Sequence, residues 1–218
     1  MSEKKKERSY IIVYKDFMDD DSYDFRDKYI NTLIKGLSLQ SFNGVTVASV
    51  DNILTILGFV SNSKNKLAIK ESIEKLVAGG ELLMYSDFGC SDIVKEVSYS
   101  NTYFFKPKIH RGSYYSKIYH DDFTKLLSID DKNKMKMFPV YYSIISKLYD
   151  TESSDRYTLI NVEDIGRETG INRKTVSKYT KLLMDSELIY YNTNKIAKDK
   201  VKNAYSRWED RAVVDALK

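Results

Sequence analysis

The stretch Asp164-Ile-Gly-Arg-Glu-Thr-Gly-Ile-Asn-Arg-Lys-Thr-Val-Ser-Lys-Tyr-Thr-Lys-Leu-Leu-Met-Asp-Ser-Glu-Leu-Ile189 carries two helices separated by a tight turn. Asn161-Val-Glu-Asp164 opens the first, with two acids in the first turn, where the helix dipole favours them. Gly170 stops it, and Asn172 is placed to cap a second helix running to about Met184. Leu188-Ile-Tyr-Tyr191, Asn192-Thr-Asn194 and Lys195-Ile196 then read as a hairpin.

The second helix has two unlike sides. Val176, Tyr179, Thr180 and Leu183 share one side at a 3.6-residue period and should face a core. Lys174, Ser177, Lys178 and Lys181 share the other, at i, i+3, i+4 and i+7. That side holds three cations, a hydroxyl and no carboxylate, whereas an ordinary solvated face mixes signs. Arg173 and Thr175 flank it near the helix start. Lys and Arg pair with phosphates or guanine acceptors, and Ser and Thr hydroxyls bond to either.

Before this stretch, Val140–Tyr149 is helical in pattern and Arg156–Ile160 is a short strand. The same order of elements lies upstream. A helix from Phe25 precedes Val45-Thr46-Val47, a helix capped by Ser49 and stopped by Gly58, and a third helix from about Leu67 to Ala78. Leu82–Tyr85 and Thr102–Phe105 then form the arms of a long hairpin. Val50-Asp-Asn-Ile53 aligns with Val162-Glu-Asp-Ile165, and Glu81-Leu82-Leu83 with Glu187-Leu188-Ile189. The first copy's turn is longer by about six residues. Near the N-terminus, Tyr10–Tyr14 reads as a strand and Asp16–Asp24 as an acidic loop.

Helix, short strand, helix, tight turn, helix and hairpin is the order of a winged helix-turn-helix. The stretch from Asp164 to Ile189 resembles bacterial regulator helix-turn-helices in Gly170, Asn172, Thr175-Val176-Ser177 and the Glu187-Leu188-Ile189 exit. The resemblance covers about residues 138–196, while residues 25–106 match in element order alone. Two such modules in tandem resemble replication initiators and primosomal proteins of phages, plasmids and low-GC bacteria, and some transcription regulators. The resemblance implies duplex DNA binding, with the second helix (about 173–184) in the major groove and the wing on the backbone.

The expected fold is mainly α with small β-hairpins (α+β), as two winged helix-turn-helix modules in tandem. The expected divisions are a basic tail, strand and acidic loop (1–24), an N-terminal module (25–106), a connecting segment (107–134), a C-terminal module (135–196) and a C-terminal helix (197–218). The last rests on Val201, Tyr205, Trp208 and Ala212, read as a helical stripe for core packing or a dimer contact. DNA contacts are assigned to Arg173, Lys174, Thr175, Ser177, Lys178 and Lys181, with Asn194 and Lys195 at the wing tip. Lys64, Lys66, Lys106, Lys108 and Arg111 are secondary candidates. The N-terminal module's third helix carries Leu67, Lys70, Glu71 and Glu74 on its outer side. Two carboxylates there would repel phosphate, so that module is expected to serve protein contact.

Charge placement agrees with a polyanionic partner for the second half. Residues 1–100 hold 13 Lys and Arg against 15 Asp and Glu, and residues 101–218 hold 22 against 16. The 218 residues include one cysteine, Cys90, which excludes an intramolecular disulfide framework and suits a reducing compartment. No apolar run approaches the roughly 18 residues of a membrane span, and the four-residue run Tyr10–Val13 is too short for a secretory signal. A cytoplasmic protein is expected. His120-Asp121-Asp122 lacks the further ligands of a metal site, since the other histidine is His110. Neither a Walker A nor a dinucleotide-binding sequence is present, so no cofactor, metal or catalysis is expected. The function expected is sequence-specific duplex DNA binding as a homodimer, as a replication initiator or transcription regulator. A primosome-type protein adaptor is the alternative, and a DNA-processing enzyme the distant one.

Overall fold

The short apolar run near the N-terminus forms strand β1 (Tyr10–Tyr14), with Ile11 and Val13 buried. A short helix, α1 (Lys15–Asp19), follows inside the expected acidic loop, held by buried Phe17 and Met18. Asp24 opens α2 (Phe25–Ser38) with a capping box. Its carboxylate accepts the Arg26 and Asp27 amides at 2.7 and 3.0 Å, and Asp27 accepts the Asp24 amide at 3.0 Å. The computed structural model describes residues 8–41, 43–110, 114–148, 156–197 and 200–217.

After α2 come β2 (Thr46–Ser49), α3 (Val50–Ile56), α4 (Ser63–Ala78), β3 (Leu82–Tyr85) and β4 (Thr102–Pro107). The three strands form an antiparallel sheet in the order β2-β4-β3. Tyr29, Ile30 and Leu33 of α2, Ile53 and Leu54 of α3, and Ile69, Ile73 and Leu76 of α4 fill the core beneath it. Helix α4 starts four residues before the expected Leu67, because Asn62 caps it by accepting the Asn65 amide at 2.8 Å. The turn before α4 is therefore residues 57–62, six residues against three (170–172) in the second module. The excess is three residues rather than about six.

The expected connecting segment holds regular structure. Strand β5 (Tyr115–Tyr119) pairs antiparallel with β1, Tyr10 opposite Tyr119, and leads into α5 (His120–Ser128). Phe123 of α5 packs on Tyr29 with ring centroids 5.5 Å apart. Two units divide the chain, residues 1–123 and 124–218.

In the second unit, α6 (Lys134–Ile145) begins before the expected Val140, with Pro139 inside it, because Met135, Met137 and Phe138 all bury. Then come β6 (Tyr157–Ile160), α7 (Val162–Thr169), α8 (Arg173–Asp185), β7 (Ile189–Ala197) and β8 (Lys200–Arg207), with sheet order β6-β8-β7. The helix expected from Ala197 is instead β8, a central strand paired on both sides. Val201 and Tyr205 are four residues apart, a spacing that a period of two satisfies as well as one of 3.6. Only past Trp208–Asp210, a turn of 3-10 helix, does a short helix follow, α9 (Arg211–Asp215).

Each unit thus contains one winged helix-turn-helix, with the last strand lying between the other two. The fold is mainly α with small β-hairpins, α+β, as two such modules in tandem. The repeat is offset by one residue at the ends of α4 and α8. The Glu81 amide donates to the Leu76 carbonyl and the Leu188 amide to that of Leu183. Glu81 therefore corresponds to Leu188, and Glu187 to Gly80. Among the described residues, no helix is long and apolar enough to cross a membrane.

Candidate nucleic-acid interface

The helix-turn-helix of the second unit is built by local rules. Gly170 takes a left-handed φ of 68° at the end of α7, a conformation that glycine adopts without steric cost. Asn172 then accepts the Thr175 amide at 3.0 Å, satisfying one of the free N–H groups of α8. Val176, Tyr179, Thr180 and Leu183 bury, while Lys174, Ser177, Lys178 and Lys181 are exposed together on the other side. Arg173 is exposed beside them and Thr175 half-buried.

The charge on this face differs from the expectation, because one carboxylate at the end of α8 and two from other elements reach it. Arg173 pairs with Glu163 of α7 at 3.0 Å, Lys178 with Asp131 at 2.8 Å, and Lys181 with Asp185 at 2.8 Å. The expectation of a face without carboxylate is thereby corrected. Asp185 continues the same stripe at i+4 from Lys181, one residue past the expected helix end at about Met184, and Asp131 and Glu163 come from other elements. Among the described residues, Lys174 makes no ion pair. Lys178 and the Asn133 amide hold the Asp131 carboxyl below the usual range. The same ion pair raises Lys178, and Asp185 raises Lys181.

Asn194 and Lys195 are not at the wing tip. Asn194 pairs with Lys202 and Lys195 with Val201, and β7 and β8 stay paired out to Ala197 and Lys200. The side chains of Asn194 and Lys195 lie outside the described residues, as does Arg111.

The remaining secondary candidates are in the first unit. Lys64 is exposed in the first turn of α4. Lys66 pairs with Asp51 at 3.0 Å, and Asp51 also accepts the Ser61 hydroxyl at 2.6 Å. Lys106 sits over the Tyr85 ring at 5.8 Å, and Lys108 pairs with Glu81 at 3.3 Å. On the outer side of α4, Glu71 is exposed, while Glu74 pairs with Lys70 and accepts the Val97 amide at 2.8 Å. Lys66 and Lys108 are thus occupied within their own unit.

Sequence reasoning missed Asp131, Glu163 and Asp185 as partners of these cations. Asp131 stands 47 positions from Lys178, and its one local signal is the turn with Asn133 before α6. Among the described residues, no cluster of His, Cys, Asp and Glu is grouped to hold a metal ion.

Residues 98–207, from just before β4 to the end of β8, match the family described as Domain of unknown function (DUF8612). The chain belongs to that family. The DUF8612 match takes in the whole helix-turn-helix and wing of the second unit. No curated protein matches the chain. Among solved structures, it is similar to the crystal structure of the RctB domains 2-3, at 12% identity and a TM-score of 0.38, over 91% of this chain and 89% of that one.

Proposed function

We propose that the protein binds double-stranded DNA through the exposed side of α8, with the β7–β8 wing against the backbone. The observation that carries this reading is the division of α8. Val176, Tyr179 and Leu183 bury, leaving Lys174, Ser177, Lys178 and Lys181 together in solvent behind a capped, glycine-closed turn. In such an arrangement the first turns of the helix meet base edges and the cations meet phosphates. Arg173, Thr175 and Ser177 are the candidates for base contact, and Lys174 and Lys181 for phosphate. One helix in one groove reads few bases, so the reading includes a homodimer on paired half-sites. The role that fits is sequence-specific binding without catalysis, as a cytoplasmic replication initiator or transcription regulator.

A second reading, protein contact through the N-terminal module, is favoured by its outer sheet face. Val47 is 55% exposed and Phe88 73%, and Phe88 meets Phe104 edge-on at 5.9 Å. Apolar groups this open mark partner surfaces more often than DNA surfaces.

The test is affinity for random duplex across a salt series, for the wild type and Lys174→Ala. Binding should weaken steeply with salt, and losing Lys174 should lower the log–log slope by about 0.9, the value for one phosphate contact. Wild-type protein with no salt-dependent binding would overturn the reading and turn attention to the N-terminal sheet.

A further inference from the structure

The three ion pairs on the α8 face are not alike. In Arg173–Glu163 and Lys181–Asp185 all four side chains are half or more exposed, so a phosphate can replace the carboxylate at little cost. In the third pair Lys178 is 56% exposed, but Asp131 is only 14% exposed. Asp131 is also fixed in place. One carboxylate oxygen accepts the Asn133 amide at 2.7 Å, the other accepts Lys178 at 2.8 Å, and the Asp131 carbonyl accepts the Lys134 amide at 3.0 Å as α6 begins. The flexible partner is the lysine, and the anchored partner is the acid. A phosphate approaching Lys178 must displace a preorganised anion and then lie beside it, so the usual gain from neutralising that phosphate is offset.

We propose that Asp131 is a specificity-determining residue of the DNA interface, holding Lys178 away from the phosphate backbone and so depressing affinity for random sequence. The inference rests on α8 being the DNA-facing helix. Four of the face's side chains, Arg173, Lys174, Lys178 and Lys181, are cationic, and with all four free the surface would grip any duplex. Anchoring one of them leaves more of the binding to contacts that depend on sequence.

The experiment measures random-duplex affinity across salt for the wild type, Asp131→Asn, Lys178→Ala, the double variant and Lys174→Ala. Asparagine keeps an acceptor for the Asn133 amide, so the turn is retained, and thermal melts of all five proteins check folding. Asp131→Asn should bind several-fold tighter at low salt, with a log–log slope steeper by about 0.9, one added phosphate contact. That gain should vanish when Lys178 is also alanine. If Lys174→Ala weakens binding but Asp131→Asn leaves affinity and slope unchanged, or lowers them, this inference falls and the DNA-binding reading stands. A gain that persists in the double variant also overturns it, since the effect would then be general charge rather than release of Lys178. Absence of salt-dependent binding in all five overturns both.

Discussion

The carbonyl oxygen of Ile171 lies 2.7 Å from the point where a Cβ on Gly166 would stand. The contact closes the helix-turn-helix, because the Ile171 amide donates to the Gly166 carbonyl at 3.1 Å and draws the turn back onto α7. The obstacle is backbone, which cannot swing aside as a side-chain tip would. Gly166→Ala should therefore destabilise the second unit by about 1–3 kcal/mol, the usual range for forced overpacking. Thermal unfolding should show a Tm lower by several degrees. An unchanged Tm would mean that the turn is not held against α7 in this way.

Gly80 and Glu187 occupy equivalent positions after α4 and α8, with φ of 73° and 54°. For Glu187 the left-handed conformation costs roughly 1–2 kcal/mol. Its carboxylate meets Lys125 at 3.8 Å with both side chains well exposed, a contact worth little. Glycine removes the strain but makes the unfolded chain freer by roughly 0.4–1 kcal/mol. Glu187→Gly should thus stabilise by about 0.5 kcal/mol, read as a higher urea midpoint at unchanged m. A lower midpoint would place more value on the Lys125 contact than its geometry supports.

Lys35 is buried on α2, its ammonium 4.9 Å from the Tyr14 ring centroid and 5.5 Å from that of Phe17. Burial pushes its pKa down from 10.5 to about 8, with Lys108 adding to the fall and Glu81 opposing it. Between those two pH values the unfolded chain holds a proton that the folded chain has released, so stability rises with pH across that window. Below it both states are protonated and the burial cost is borne in full. Lys35→Met should remove this alkaline rise and leave the protein more stable at pH 7, by up to about 3 kcal/mol. Urea unfolding of the two proteins at pH 7 and pH 10 reads the effect. A rise that survives in Lys35→Met would assign it to another group.

How far the fold could be read depended on the range of the interactions. Helix α8 was legible because Asn172, Gly170 and the Val176–Tyr179–Leu183 spacing act within one or two helical turns. Strand β8 was not, because Val201 and Tyr205 suit two periods and only pairing with β6 and β7 chooses between them. Strand β5 was missed for the same reason, since its partner β1 lies about a hundred positions earlier.

The pattern along the chain was enough to set the order of elements as far as the third helix of each module, the Ser49 and Asn172 caps with the Gly58 and Gly170 stops, and which side of α8 faces solvent. Those follow from backbone preferences and from the burial of apolar side chains at helical spacing. Most of the charge that this side presents was settled by tertiary contacts. Asp131 and Glu163 arrive from other elements and leave Lys174 as the cation without an ion pair among the described residues. Coulombic pairing depends on distance in space, so spacing along the chain encodes the i,i+4 pair Lys181–Asp185 but neither of these two.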